Sequence, residues 1–235
     1  MSFTLYDYAL SGNCYKIRLF ANILNIDYER IAIEFYPGAD HRSEKMLAIS
    51  PAGTLPILTT DDMVLSETSA MLFWIARNYD APDHWWPEKD LTAQANIMQW
   101  MGFASDLTAT IGQGRLHALF QTPIDKDKMI KGGRAALRKI EAHLSEQSFD
   151  GCSFLTGDKP TIADIACFPY VALSPDVGAN IGFDHDDYPA IRNWIYAMKS
   201  LDGFIPMPGI YAMHELKEHE IDYGAQKSAK AGASK

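Results

Sequence analysis

Two short segments in the first third of the chain carry residues suited to holding a small peptide. Leu55-Pro56 stands at the head of a short apolar run, and Glu67-Thr68-Ser69 stands where a helical pattern begins. Proline has no N–H and interrupts a sheet ladder, so Pro56 is expected to end an edge strand or to hold a cis bond. Either arrangement leaves the Leu55 backbone free to pair with an extended, peptide-like ligand. Thr68 and Ser69 offer hydroxyls and N–H groups at a helix start, which suits a carboxylate. Together the two segments read as a cradle for a small anionic peptide.

Positioning that cradle calls for a small α/β unit. Phe3–Tyr8 alternates apolar and polar residues as a strand does, and Gly12–Leu24 places Cys14, Ile17, Ala21 and Leu24 on one helical stripe. Tyr28–Ile33 is β-rich, and Ile57–Thr59 and Met63–Leu65 form a hairpin around Thr60-Asp61-Asp62. Glu67–Tyr79 reads as a helix. The order strand, helix, strand, irregular segment, hairpin, helix predicts an α/β domain over residues 1–80. A proline-containing acidic stretch follows and serves as a linker over 81–90. Beyond it the strand patterns stop. Leu91–Phe120 and Asp125–Glu146 are long helical patterns parted at Pro123, and Thr161–Val171 and Pro189–Leu201 add two more. These predict an all-α domain over 91–223, with a small, polar, basic tail, 224–235, expected to be disordered. Gly132-Gly133 would each cost about 1 kcal/mol against alanine inside a helix, so close packing or a kink is expected there.

Composition removes several function classes. With 235 residues, 47% of them hydrophobic, the chain can build one large or two modest cores. A net charge of −9 argues against nucleic acid or an anionic membrane as the main partner. No apolar run approaches the ~20 residues of a membrane-spanning helix, and the start MSFTLYDYAL lacks a signal-peptide layout, so a cytoplasmic protein is expected. Cys14, Cys152 and Cys167 form no CxxC pair and read as reduced thiols. His214 and His219 are five residues apart, off a common helix face, and Asp184-His185-Asp186-Asp187 reads as a solvated acidic loop. No metal site is expected.

Three motifs resemble those of the cytosolic glutathione transferases, over nearly the whole chain. SGNCYKIRL (Ser11–Leu19) is similar to the catalytic loop and first helix of the serine- and cysteine-type classes, bacterial ones among them. SPAGTLPIL followed by SETSA is similar to that family's NPxGKVPxL and ESxA segments, and TGDKPTIADIACFPY (Thr156–Tyr170) to its folding box. The resemblance implies a thioredoxin-like N-terminal domain, an all-α C-terminal domain and a homodimer. It further implies glutathione as cosubstrate and a detoxifying transfer to a small hydrophobic electrophile. The folding box also stands without the analogy. Thr161 with Asp164 has the spacing of a helix N-cap and its N3 acceptor, a capping-box variant whose cap is worth about 1 kcal/mol.

What the resemblance implies for individual residues can be set against a plainer reading of each. Ser11 matches the catalytic serine that donates to the glutathione sulfur, or it is an ordinary N-cap. Asn13 presents an amide to the same sulfur, or it is a solvated first-turn residue. Some classes use a cysteine nucleophile, but Cys14 sits three residues past Ser11, shares the apolar stripe with Ile17 and Ala21, and reads as structural. Asp7 takes the place of the tyrosine-type donor, which leaves Tyr6 and Tyr8 as strand and pocket-wall residues. Leu55, ahead of a cis Pro56, pairs with the cysteinyl unit. Glu67 and Thr68 match the pair that binds the γ-glutamyl amine and carboxylate. Thr54 replaces the family's lysine, so His41 and Arg42 are candidates for the glycyl carboxylate, or they form a solvated polar turn. Leu10, Asp106, Thr110 and Arg115, with Leu107 and Ile111 nearby, are candidates for the second-substrate wall, and core or dimer packing accounts for the apolar members equally well. Two rival functions remain: a glutathione-dependent disulfide reductase or lyase, and a non-catalytic glutathione-binding scaffold.

Overall fold

Alternation in Thr4-Leu5-Tyr6-Asp7 turns Leu5 and Asp7 inward and makes the first strand, β1 (Thr4–Asp7). In the computed structural model, which describes residues 2–79, 81–178 and 183–213, β1 pairs in parallel with β2 (Glu29–Ala32). On its other side it pairs antiparallel with β3 (Ile57–Thr59), which forms a hairpin with β4 (Val64–Leu65). The strand order is β2-β1-β3-β4. Of the two outcomes expected for Pro56, the cis bond is found, whereas β3 is an inner strand and not an edge. Its ladder to β1 begins at Ile57, so the Leu55 backbone lies outside the sheet pairing.

Helix α1 (Gly12–Ile23) crosses between β1 and β2 and carries more burial than one stripe. Every residue from Cys14 to Ala21 is buried, Lys16 and Arg18 included, because α3 (Thr68–Asn78) and α7 (Ile162–Ala172) both pack on it. The segment read as irregular contains a 3-10 turn, Asp40–Arg42, and a short helix, α2 (Glu44–Ile49). Ser43 caps α2 through Met46 N at 3.4 Å, and Met46 alone of its residues is buried.

The second half is helical: α4 (Leu91–Leu107), α5 (Gln113–Phe120), α6 (Lys126–Phe149), α7 and α8 (Pro189–Lys199). The pattern read as one helix over Leu91–Phe120 is broken by a π turn, Thr108–Gly112. There the Thr108 and Thr110 hydroxyls bond back to the Ala104 and Asp106 carbonyls at 3.0 and 2.7 Å. Such back-bonding bends helices, and π turns recur at functional sites. Gly132-Gly133 serve close packing: a Cβ at Gly133 would stand 2.3 Å from the Phe183 ring and one at Gly132 2.7 Å from Thr110 Cγ2.

The centre of this half is α7, buried along its whole length. Thr161 caps it, and Asp164 returns to Thr161 N at 2.9 Å, the expected box. Asp164 also accepts from Leu155 N and Trp194 Nε1, each at 2.9 Å, so one carboxylate ties the cap to a loop and to α8. Among the described residues no helix is long and apolar enough to cross a membrane, and no cluster of three metal-ligating side chains occurs. His214, His219 and the 224–235 tail lie outside the described residues.

Candidate active site

The site is built around the loop that leaves β1 and enters α1. Asp7, at the end of β1, is fully buried and paired with Arg18 of α1 and with Arg30 of β2, the latter at 2.7 Å. Arg18 also donates to the Tyr8 and Ala9 carbonyls at 3.3 and 3.0 Å. From the helical half, Arg115 of α5 donates to the Leu10 carbonyl and, through Nε, to Asp176 at 3.3 Å. Two guanidinium groups, one from each half, thus hold the three carbonyls that precede Ser11. Sequence reasoning missed this support. Its one visible signal was a charged residue at position 7, on the apolar phase of β1.

Ser11 is the N-cap of α1, with Oγ accepting from Cys14 N at 3.2 Å. A hydroxyl accepts and donates at once, so capping leaves its proton free for a ligand. Capping and catalytic readings of Ser11 are therefore compatible. Asn13, in the first turn, has its Oδ1 buried without a hydrogen-bond partner. Cys14 faces away from solvent, and its sulfur accepts from Tyr8 N at 3.4 Å. Burial first, and the Asp7 carboxylate second, push its thiol up to about 12. A thiol held there is a poor nucleophile at neutral pH.

Ser11 and Asn13 open onto a cavity of about 460 Å³ between the sheet half and the helical half. Leu55, Thr54, His41 and Arg42 line it from the first half. His41 is buried, its ring stacked on Phe35 with centroids 4.3 Å apart. Burial, helped by the Arg42 charge, pulls its imidazole below the usual range, so His41 faces the cavity neutral. Its Nδ1 is buried without a partner.

An aromatic wall continues from there. Tyr8 stacks on Phe35 at 5.3 Å, and Phe120, at the end of α5, approaches both. Of the residues expected on the second-substrate wall, Leu10 and Arg115 line the cavity. Leu107 and Ile111 are instead fully buried in the core, Asp106 is exposed and outside the wall, and Thr110 bonds back to its own helix. The π turn shifts the helical phase, and Thr108, Gly112, Gln113 and Leu116 face the cavity in their place. Pro56 is buried, Glu67 is the exposed N-cap residue of α3, and Thr68 is half-buried in its first turn; none of the three lines this cavity.

Comparison with known proteins agrees with this architecture. Residues 5–83 match the glutathione S-transferase N-terminal domain, and residues 125–195 match the C-terminal domain of the same family. Human glutathione S-transferase theta-2 is 30% identical over 154 residues, which span 63% of this chain and 62% of that protein. Bovine glutathione S-transferase theta-1 is 28% identical over 76% of this chain and 75% of its own. A crystal structure of glutathione S-transferase from Pseudomonas fluorescens is 30% identical, covering 87% of this chain and 98% of that one with a TM-score of 0.76. With both domains matched and the thioredoxin-like sheet followed by helices, the chain belongs to the glutathione S-transferase family.

Proposed function

We propose that this protein is a glutathione transferase of the serine type, which stabilises the glutathione thiolate and directs it at a small hydrophobic electrophile. The observation that carries the reading is the meeting of Ser11, Asn13 and the unpaired Leu55 backbone in one cavity with an aromatic wall. A glutathione thiol has a free pKa near the ~8.5 of cysteine, so little is thiolate at neutral pH. Lowering it by about 2 units takes about 2.7 kcal/mol of preferential binding of the anion. The amino end of α1 supplies ~0.3–2 kcal/mol, and a hydrogen bond from Ser11 to the charged sulfur adds about 1.5–3 kcal/mol. The sum is sufficient.

In this reading Leu55 pairs its backbone with the cysteinyl unit, held by Pro56. Glu67 and Thr68 take the γ-glutamyl amine and carboxylate at the amino end of α3. His41, Arg42 and Thr54 receive the glycyl carboxylate, His41 as a neutral donor beside the Arg42 charge. Asn13 adds an amide at the sulfur. The electrophile rests on Tyr8, Phe35 and Phe120, the first two stacked and the third tilted against them, a wall that favours flat apolar molecules. We read the protein as cytoplasmic and detoxifying. We also read it as a homodimer, joined through the apolar face of α3 and α4 where Phe73, Leu91 and Met98 are exposed beside a groove of about 550 Å³.

A panel of haloaromatic, peroxide, disulfide and aryl-ether substrates with glutathione tests the reading. Glutathione conjugates are the expected products. Failure to bind glutathione at millimolar concentration contradicts it. The buried sulfur of Cys14 weighs against a mixed-disulfide route through that residue. Cys14→Ala is accordingly expected to leave conjugation within about threefold of the unaltered protein. A loss of two orders of magnitude would return Cys14 to the mechanism.

A further inference from the structure

Tyr170 reaches the same cavity from α7, the core helix of the second half. Its neighbour Pro169 lies inside that helix and supplies no N–H to the turn before it. The Tyr170 ring is held in a slot made by two glycines more than ninety residues apart in sequence. A Cβ added at Gly12 would stand 2.9 Å from its Cε1 and 3.1 Å from its Cζ. One added at Gly112, in the π turn, would stand 3.1 Å from both atoms. Any other residue at either position would have to displace the phenol. The slot therefore depends on glycine at both positions to admit an aromatic ring, and one of its walls is Gly12, the residue between Ser11 and Asn13.

Charge around the ring is arranged to match. Lys16 Nζ lies 5.2 Å from the ring centroid. The Arg115 guanidinium and the Asn13 backbone N–H both favour a negative oxygen on Tyr170. Burial first, and the Cys14 sulfur second, outweigh them and keep the hydroxyl above its usual range, so at neutral pH Tyr170 retains its proton and can donate it while its oxygen accepts from Asn13 N. The donor stands at the amino end of α1, where the reading above places a sulfur anion.

Resting on that reading, we propose that Tyr170 is a catalytic residue whose hydroxyl donates a second hydrogen bond to the glutathione sulfur. It meets the Ser11 hydroxyl there from the opposite domain. The thiolate would then be stabilised by one donor from each half of the chain and would form fully only when the halves are docked. The π turn gains a purpose as well, because it brings Gly112 against the ring.

Tyr170→Phe keeps the ring in its slot and removes only the hydroxyl. Thiolate absorbance of bound glutathione, titrated against pH, is expected to show the bound pKa raised by about 1 unit, a tenfold loss of thiolate at pH values below it. Affinity for S-methylglutathione, which has no ionisable thiol, is expected to stay within about twofold, with the melting temperature unchanged. An unmoved bound pKa overturns the proposal. So does an S-methylglutathione affinity that falls together with the thiolate, since that would make the ring's packing the cause. If the unaltered protein binds neither peptide, the transferase reading falls and takes this one with it. A variant that binds both with an unmoved pKa removes Tyr170 alone.

Discussion

Ser11→Ala is expected to cut kcat/KM for glutathione conjugation by about 10- to 100-fold. That range corresponds to the about 1.5–3 kcal/mol of a hydrogen bond to a charged acceptor. The substitution removes two things together. One is the proton that the proposed mechanism offers to the sulfur, and the other is the cap on Cys14 N at 3.2 Å. Loss of the cap alone lowers stability by about 1 kcal/mol and leaves the bound thiol's pKa untouched. The two roles therefore separate in measurement: the bound thiolate titration reads the donor, and the melting temperature reads the cap. Ser11→Thr, which preserves both, is expected to recover most of the thiolate. A Ser11→Ala variant that loses stability but keeps the full rate would leave Ser11 as a cap only.

Asp7→Asn is expected to give the largest loss of stability. Asp7 is fully buried, and Arg18, itself nearly buried, depends on it for a counter-charge. Removing one partner of such a pair costs about 3–5 kcal/mol, because the remaining charge stays in the interior uncompensated. For a chain of this length the melting temperature should fall by about 10 °C. Activity should fall too, since Arg18 holds the Tyr8 and Ala9 carbonyls in the loop that ends at Ser11. The double variant Asp7→Leu with Arg18→Met removes both charges and is expected to be more stable than Asp7→Asn. A double variant no more stable than the single one would show that packing, not the ion pair, dominates. Thermal unfolding of the three proteins decides it.

These two residues also mark the line between what the sequence reveals and what it conceals. Ser11, the Leu55-Pro56 step and the Thr161–Asp164 box depend on local backbone chemistry, which a short motif records. The hairpin Ile57–Thr59 to Val64–Leu65 and the helix from Thr68 are equally local, and the residues that form them lie together in the chain. The ion pairs of Asp7 are not local. They require β1, α1 and β2 to be assembled first, and no short pattern marks them.

Helix α2 escaped notice because six residues with Met46 alone buried show no helical periodicity. The π turn at Thr108–Gly112 escaped it because the extra residue changes the phase without changing the pattern's apolar content. For Leu107 and Ile111 the pattern left a cavity wall and core packing open, and the fold buries both in the core. Tyr170 was hidden for a related reason. In a helix buried along its whole length, a tyrosine reads as core. Only the assembled fold brings Gly12 and Gly112 against its ring and places Tyr170 in the cavity lining.

Ultraviolet difference absorbance of glutathione bound to the unaltered protein, followed from acid to alkaline pH, tests the central claim most directly. Ser11 and the amino end of α1 should bring the bound thiolate in about 2 units below the free thiol. A bound thiol that titrates where free glutathione does would contradict the account, whatever conjugates the protein is later found to make.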